Sequence, residues 1–241
     1  MFNMNNKLIP TPPHKNSAFT LAEVLITLVI IGVIAAITIP TLITKYQKEQ
    51  TVSRLKKVYS SLVQSMQRAI ADNGPMNTWE LGQNGTGEGS VDFANKYILP
   101  YLQISKNCET SNTGDCDYSF YFLSSTEPEP LNQNRTRFYL SDGTFITGVL
   151  LNTESDKRFI MLIDINGKRK PNRVGRDIFE FNYLIKYDGR TGKILPASYY
   201  APRSYLLSSC SICCNKQTGS GAYCSAVIMK DSWQIKDDYP W

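Results

Sequence analysis

The sequence predicts an α+β protein. One long N-terminal helix, half membrane-spanning and half amphipathic, is expected to pack on an antiparallel β-sheet head with a disulfide-stapled C-terminal region. Three observations support this fold class. Residues 19–39 are almost entirely apolar, residues 52–70 have the apolar periodicity of a helix, and the second half of the chain contains runs typical of strands.

The apolar run from Phe19 to Ile39 contains 21 residues and a single charge. As a helix it would extend about 32 Å at about 1.5 Å per residue, close to the roughly 30 Å hydrocarbon core of a bilayer. The apolar core of a secretory signal is shorter, at about 7–15 residues. The run therefore predicts a transmembrane helix, preceded by a polar stretch of 18 residues.

The single charge in this run is Glu23. A carboxylate inside the membrane is costly unless it is paired, and such residues are usually functional. Cleavage between Ala18 and Phe19 would create an α-amine four residues before Glu23. Within one helix that amine lies at the tip and is poorly placed, whereas the Glu23 of one copy can neutralise the amine of the next. This pattern predicts that Glu23 acts in assembly.

The segment Ser17-Ala18, followed by Phe19-Thr20-Leu21-Ala22-Glu23-Val24-Leu25, resembles the N-terminal signature of type IV pilins and type II secretion pseudopilins. In that family a membrane aspartyl peptidase cuts before the Phe and methylates its amine, and the Glu is the assembly residue. Gly32 and Pro40 lie where the family often has a helix-softening Gly and a kinking Pro. The family usually has Gly before the cut, and this sequence has Ala18.

The resemblance implies a leader at 1–18, a transmembrane and assembly helix at 19–40, an amphipathic helix at 41–73 and a globular head at 74–241. It also implies a structural subunit of a type IV pilus or type II secretion pseudopilus. The expected partners are prepilin peptidase, other pilin or pseudopilin subunits and the inner membrane, with the leader in the cytoplasm and the head outside. The alternative is a membrane-tethered minor pilin that acts as an adhesin or a DNA-uptake module.

An uncleaved signal anchor is another interpretation of the N-terminus. Five basic residues closely follow the span and only two lysines precede it, which by the positive-inside rule would keep the head in the cytoplasm. The N-terminal signature and the six cysteines favour export instead.

The charge and the histidine content limit the chemistry. The net charge is +5, and it falls to +3 without the leader, which carries two lysines and no acidic residue. That mild excess is not the concentrated basic surface typical of nucleic-acid binding. The only histidine, His14, lies in the leader, which excludes Ser-His-Asp catalysis and imidazole zinc sites from the mature chain. We therefore expect no enzymatic activity and no obligatory cofactor.

The apolar periodicity after Pro40 predicts one amphipathic helix that packs on the chain's own sheet and ends at Asn73-Gly74-Pro75. Residues 74–90, with five glycines, predict an exposed loop, and Ser90 is expected to cap a short helix at 91–98. The apolar stripe steps by three or four along Val52, Leu55, Tyr59, Leu62, Met66 and Ala69.

Strands are predicted at 118–123, 136–140, 144–151, 158–165 and 178–187. Asp142-Gly143 between two of these runs indicates a hairpin. The last run alternates between aromatic or apolar residues, such as Phe179 and Tyr183, and polar ones, such as Glu180 and Asn182. Such alternation predicts a sheet with one buried face, covered by the long helix.

The even number of cysteines predicts disulfides. Cys108 and Cys116 bracket a turn-rich segment and are expected to pair. Three connectivities remain open for the other four, and a four-thiolate zinc site is the alternative for this cluster. These four are Cys210, Cys213, Cys214 and Cys224.

Two further patterns have a functional and a structural interpretation. Asp164, Asn166 and Asp177 could supply oxygens to calcium, or could cap the turns of their own β-connection. The basic residues between Lys168 and Arg176 could contact DNA, or form a solvated loop. The aromatic C-terminus, which ends at Trp241, could be an interaction tail or pack against the head.

Overall fold

The computed structural model describes residues 20–187 and 191–241. It confirms the predicted α+β architecture, in which helix α1 (Leu21–Asn73) packs on an antiparallel sheet and disulfides cross-link the C-terminal region. The chain divides after Lys45 into two compact units, and the second of them contains the rest of α1 together with the sheet. The predicted cleavage site at Ala18 and Phe19 lies outside the described residues.

Within the described residues, the head contains three shorter α-helices and eight strands. Six of the strands form one antiparallel sheet in the order β1-β4-β5-β6-β7-β8, while β2 pairs with β3. The helices are α2 (Gly87–Tyr97), α3 (Arg203–Leu206) and α4 (Cys224–Lys230). The strands are β1 (Ile104–Glu109), β2 (Ser119–Phe120), β3 (Glu129–Pro130), β4 (Thr136–Leu140), β5 (Phe145–Asn152), β6 (Asp156–Asp164), β7 (Ile178–Tyr187) and β8 (Lys193–Leu195).

The second half of α1 packs on the sheet through the predicted apolar stripe. The Tyr183 hydroxyl on β7 donates to the Leu62 carbonyl at 3.1 Å, and the rings of Tyr59 and Phe181 lie 5.4 Å apart. The helix ends at Asn73, as predicted, and Gly74 follows with φ +78°, a conformation that suits glycine. The buried residues of α1 are Val52, Leu55, Val58, Leu62, Ser65, Met66 and Ala69.

The strands at the centre of the sheet match their predictions closely. Strands β4 and β5 form the predicted hairpin, in which Gly143 has φ +86° and Asp142 Oδ1 accepts from the Thr144 amide at 3.1 Å. Strand β7 has the predicted bounds, and β6 begins two residues earlier than expected. Strong local signals, a turn sequence and alternation, explain why these strands could be predicted.

The glycine-rich segment at 74–90 is a partly exposed loop only as far as residue 86, with Met76 and Trp79 buried, and the predicted start of the next helix is wrong. Helix α2 begins at Gly87, and its N-cap is Thr86, whose hydroxyl accepts from the Gly89 amide at 3.0 Å. Ser90 lies inside the helix and donates to the Asn134 carbonyl at 2.9 Å. A Cβ on Gly82 would lie 2.6 Å from Gly89 Cα, so these glycines allow close backbone packing.

The predicted strand at 118–123 shortens to β2, and the edge strands β1 and β8 have no predicted counterpart. Strand β1 is mostly polar and exposed, and its pairing with β4 is interrupted by irregularities. Because β1 does not alternate between apolar and polar residues, its sequence does not predict a strand. Its extended conformation depends on pairing with β4.

The sheet is covered on both faces, which corrects the expectation of one buried face. The face opposite α1 carries its own apolar cluster and also buries polar residues such as Asn182. That cluster contains Tyr118, Phe120, Leu131, Phe145, Leu162, Val174 and Ile178.

All six cysteines are paired. Cys108 bonds Cys116, the two residues that the sequence pairs. Cys210 bonds Cys213, and Cys214 bonds Cys224, which selects one of the three open connectivities and leaves no thiolates for zinc. The Cys210–Cys213 and Cys214–Cys224 disulfides cross-link the segment between α3 and α4.

The aromatic C-terminus packs against the head and is not a free tail. Tyr239 is buried, and its hydroxyl donates to the Gly175 carbonyl at 2.6 Å. The Trp233 ring lies 5.2 Å from the ring of Tyr59 on α1. The Arg176 guanidinium lies 4.7 Å from the Trp241 ring centroid, a cation–π distance.

Candidate functional site

Helix α1 begins with a reciprocal hydrogen-bonded cap between Thr20 and Glu23. The Thr20 amide and hydroxyl donate to Glu23 Oε2 at 2.8 and 2.7 Å, and the Glu23 amide donates to the Thr20 hydroxyl at 3.2 Å. This is a capping box, which satisfies otherwise unpaired N–H groups at a helix start. Among the described residues, the other carboxylate oxygen of Glu23 accepts no hydrogen bond.

The role of Thr20 was missed in the sequence analysis, although a signal for it was present. A Ser or Thr followed three residues later by Glu, just before an apolar run, is the sequence pattern of a capping box. Thr20-Leu21-Ala22-Glu23 has that pattern. The cap fixes the Glu23 side chain beside the helix start but supplies no positive charge to neutralise it.

The segment that follows exposes its apolar side chains. Helix α1 is long and apolar enough near the N-terminus to cross a membrane. A Cβ on Gly32 would meet no atom within 4 Å, so no contact in the described chain explains this glycine. The exposed large apolar residues of the span are Leu21, Val24, Leu25, Ile26, Leu28, Val29, Ile30, Ile31, Val33, Ile34, Ile37 and Ile39.

The helix continues through Pro40, which has no backbone N–H to donate. Nearby threonines bond to backbone carbonyls: Thr38 donates to Ile34 at 2.9 Å, and Thr44 donates to Pro40 at 3.0 Å. The helical acceptor that Pro40 leaves without an N–H donor is the Ala36 carbonyl, and neither of these two hydroxyls bonds to it. The bend expected at Pro40 stays a prediction.

Asp164, Asn166 and Asp177, the predicted calcium candidates, lie together at the end of β6. Asp164 Oδ1 accepts from the Asn166 amide at 3.0 Å, and Asp177 accepts from the amides of Asn172 and Arg173 at 2.8 and 2.6 Å. The carboxylates thus cap their own turns. Asn166 Oδ1 has no partner among the described residues, and calcium binding stays a prediction.

Asp164 is nearly fully buried, at 2% exposure, and its Oδ2 accepts a hydrogen bond from the Tyr118 hydroxyl. The pKa of Asp164 is raised to about 8, mainly by burial; the hydrogen bonds from Tyr118 and from backbone amides oppose the rise, and the nearby Asp177 carboxylate adds to it. Burial also raises the pKa of Asp177. These carboxyl groups therefore make the stability of the head depend on pH.

We predict that the free energy of unfolding falls as the pH rises from about 4 to about 8. The folded state retains a proton on Asp164 that the unfolded chain releases near its ordinary pKa of about 3.9, so stability is lost as pH rises through the folded pKa. Asp164→Asn retains acceptor and donor groups and stays neutral. At pH 9 it should be more stable than the parent by on the order of 1–3 kcal/mol.

Urea unfolding of the full chain in detergent, followed by near-ultraviolet circular dichroism between pH 5 and pH 9, measures this effect. Asp237→Asn, at an exposed carboxylate, is the control and should leave the pH profile unchanged. An identical pH slope in Asp164→Asn and the parent would contradict the assignment.

The predicted basic run separates into residues with different roles. Arg173 Nη1 donates to the carbonyls of Phe122, Leu123 and Ser125 at 2.7–3.1 Å, so this side chain joins loops. Lys168 and Arg169 line a cavity of about 520 Å³ beside α1. DNA contact therefore stays a prediction for part of the run only.

Two family models match different parts of the chain. Residues 41–241 match a family of unknown function, DUF6613. The chain belongs to DUF6613. Residues 13–39 match the prokaryotic N-terminal methylation motif, so this DUF6613 member carries a type IV pilin-like prepilin signature. No curated protein matches the chain, and no solved structure matches it.

The motif match spans both the Thr20–Glu23 cap and the exposed apolar helix surface. The DUF6613 match covers the second half of α1, the sheet and the stapled C-terminal region. The chain therefore combines a type IV pilin-like prepilin signature and a candidate transmembrane helix with a DUF6613 head.

Proposed function

We propose that this DUF6613 protein is a structural subunit of a type IV pilus or of a type II secretion pseudopilus. Prepilin peptidase cuts the chain between Ala18 and Phe19, the new amine is methylated, and the subunits polymerise through their apolar helices. The exposed apolar surface of α1 is the observation that carries this proposal. Such a surface is stable only in lipid or against other apolar helices.

Glu23 provides the specificity of this assembly. Its carboxylate is held by Thr20 through one oxygen, and the cap contributes hydrogen bonds but no cation. In lipid a lone charge costs several kcal/mol, so a neighbouring subunit that presents the Phe19 amine is favoured. Only subunits in the correct register bring the amine and the carboxylate together.

Three disulfides support export of the head, because such bonds persist in oxidising compartments. The subunit is thus inserted in the inner membrane with the leader in the cytoplasm and the head outside, until it enters an extracytoplasmic filament. This role requires no catalytic activity of the head.

The intact mass and the N-terminal residue of the protein recovered from membranes test the processing step. In cells with active prepilin peptidase we expect a chain that begins at methylated Phe19, and in cells with an inactive peptidase we expect the full chain. Ala18→Gly, which restores the usual family residue, should also be cut. A chain that retains Met1–Ala18 despite active peptidase would contradict the proposal.

A further inference from the structure

The cavity of about 520 Å³ beside α1 is strongly basic. Four basic side chains line it, and among the described residues a single acidic side chain, that of Asp142, joins them. Lys57 Nζ lies 2.8 Å from Asp142 Oδ2, so this carboxylate is already paired. We call this feature the basic cavity, and its basic residues are Arg54, Lys57, Lys168 and Arg169.

Two positive charges in the basic cavity have no partner in the described part of the chain. The guanidinium groups of Arg54 and Arg169 form no hydrogen bond or ion pair there, and Arg54 is partly exposed and Arg169 exposed. A guanidinium presents its donors in a planar fork that matches a carboxylate. The cavity is therefore complementary to an accessible surface that carries more than one negative charge.

The wall of the basic cavity is built from two turns that pack tightly on each other. Gly143 lies in the β4–β5 turn and Gly167 follows β6, and a Cβ on Gly167 would lie 2.6 Å from the Gly143 carbonyl oxygen. Lys168 and Arg169 follow Gly167 directly. The close backbone contact therefore fixes where these two residues leave the head, and a preorganised surface loses less conformational entropy on binding.

Helix α2 carries the opposite charge. Glu88 and Asp92 lie one turn apart and are exposed, and neither carboxylate has a partner among residues 20–187 and 191–241. Lys96, the basic residue of this helix, lies 2.6 Å from Glu80 instead. A carboxylate is favourable in the first turn of a helix, which explains Glu88 but not Asp92. We call Glu88 and Asp92 the acidic pair.

The basic cavity and the acidic pair lie towards opposite ends of strand β5. Gly143 and Thr144, just before β5, line the cavity. Further along β5, the Leu150 amide donates at 3.1 Å to the hydroxyl of Ser90, which lies between the two residues of the acidic pair. The six residues from Thr144 to Leu150 extend roughly 20 Å at about 3.4 Å per residue. One chain therefore does not bring the two surfaces into contact, whereas two copies can.

We propose that the basic cavity of one subunit receives the acidic pair of a second copy of this chain. Arg54 and Arg169 bind the carboxylates of Glu88 and Asp92. A contact between two different surfaces of the same subunit can repeat without closing, as a filament requires. The inference rests on the filament role proposed above and specifies the contact between heads. Exposed ion pairs add little affinity but fix the partner and its orientation.

Charge reversal in the full chain tests the contact in cells with active prepilin peptidase. Arg54→Glu with Arg169→Glu should lower the amount of subunit in sheared filaments at least about tenfold, because like charges then face each other. Glu88→Arg with Asp92→Arg should do the same. The variant with all four substitutions should assemble again, and so should the two double variants when they are expressed together.

Lys186→Glu with Lys216→Glu is the matched control, because these exposed lysines lie outside the basic cavity and the substitutions change the net charge equally. This variant should assemble like the parent. Normal filaments from the Arg54→Glu and Arg169→Glu variant would overturn the proposal. A fourfold variant that assembles no better than the double variants would overturn it in favour of a partner with its own negative charge, such as DNA.

A zero-length carbodiimide cross-linker provides a readout that does not require filaments. It joins lysine amines to carboxylates in direct contact, so mass spectrometry of treated membranes should find Lys57 or Lys168 joined to Glu88 or Asp92. The Lys57–Asp142 pair within one chain is the internal control. If the parent forms no filaments, the filament role fails and the cross-link decides. Its presence then supports pairing of copies, and its absence overturns it.

Discussion

Glu23→Val should leave membrane insertion of the apolar helix intact and abolish incorporation of the subunit into filaments. Insertion depends on apolar length, which the substitution increases. Incorporation depends on a carboxylate that meets the amine of the next subunit, and valine removes it. The expected loss is nearly complete, because the amine would be buried among apolar helices without a counter-ion. Membrane fractionation and immunoblotting of sheared filaments measure the two steps separately.

The substitution Thr20→Val distinguishes two roles of Glu23, which are capping of its own helix and pairing with the amine of a neighbouring subunit. If Glu23 acts only by capping its own helix, Thr20→Val should reproduce the Glu23→Val defect, because it removes the hydroxyl from the cap. If Glu23 acts through the neighbouring amine, Thr20→Val should assemble, with at most about 0.5–2 kcal/mol of lost cap stabilisation. Thr27→Val, within the same apolar segment, is the control that should assemble normally. Normal filament incorporation of Glu23→Val would contradict the mechanism.

Arg137→Met should destabilise the head by on the order of 3–5 kcal/mol. Arg137 lies on β4 with no exposed surface. Its Nη1 donates to the carbonyls of Thr110 and Ser111 at 2.6 and 2.7 Å, and its Nη2 donates to those of Leu131 and Asn132 at 3.0 Å. Methionine fills much of the same volume but leaves the carbonyls of Thr110, Ser111 and Leu131 without a donor, while the Asn132 carbonyl keeps the Arg135 amide at 3.2 Å. Each buried group that loses its partner costs about 1–3 kcal/mol, and the costs are not additive.

Urea unfolding of the full chain in detergent measures this loss. Arg137→Lys should be intermediate, because an ammonium group cannot reproduce the planar fork that reaches two loops. Arg68→Met, at an exposed position on α1, should change the free energy of unfolding by less than about 0.5 kcal/mol. A loss below about 1 kcal/mol in Arg137→Met would show that water replaces the guanidinium.

The buried role of Arg137 could not have been predicted from its sequence context. Thr-Arg-Phe-Tyr-Leu is an ordinary strand sequence in which an arginine would be assigned to a solvated face. The loops at 110–111 and 131–132 bring their carbonyls to that face, and the Cys108–Cys116 disulfide closes the first of these loops. The same reasoning applies to Arg173, which the sequence places in a basic run and the structure places among carbonyls.

The candidate site at the start of α1, in contrast, could be predicted from the sequence, because its residues lie within four positions of one another. Glu23 stands out as a charge in an apolar run, and Thr20 could have been recognised by its spacing. Strand β7 lies between these cases. Alternation on β7 indicated which residues share a face, but not that Asn182 would be buried.

The sequence by itself determined the long helix and its end at Asn73, the β4–β5 hairpin, strand β7 and the pilin-like N-terminus. Each of these depends on periodicity, a turn or a cap within a short stretch of chain, where neighbours interact whatever the rest of the fold does. Only the tertiary structure decided the pairing of the four C-terminal cysteines, the edge strands, the start of α2 and the cover on the second face of the sheet. These features depend on which distant segments meet, and that follows from packing of the whole head and not from local conformational preference.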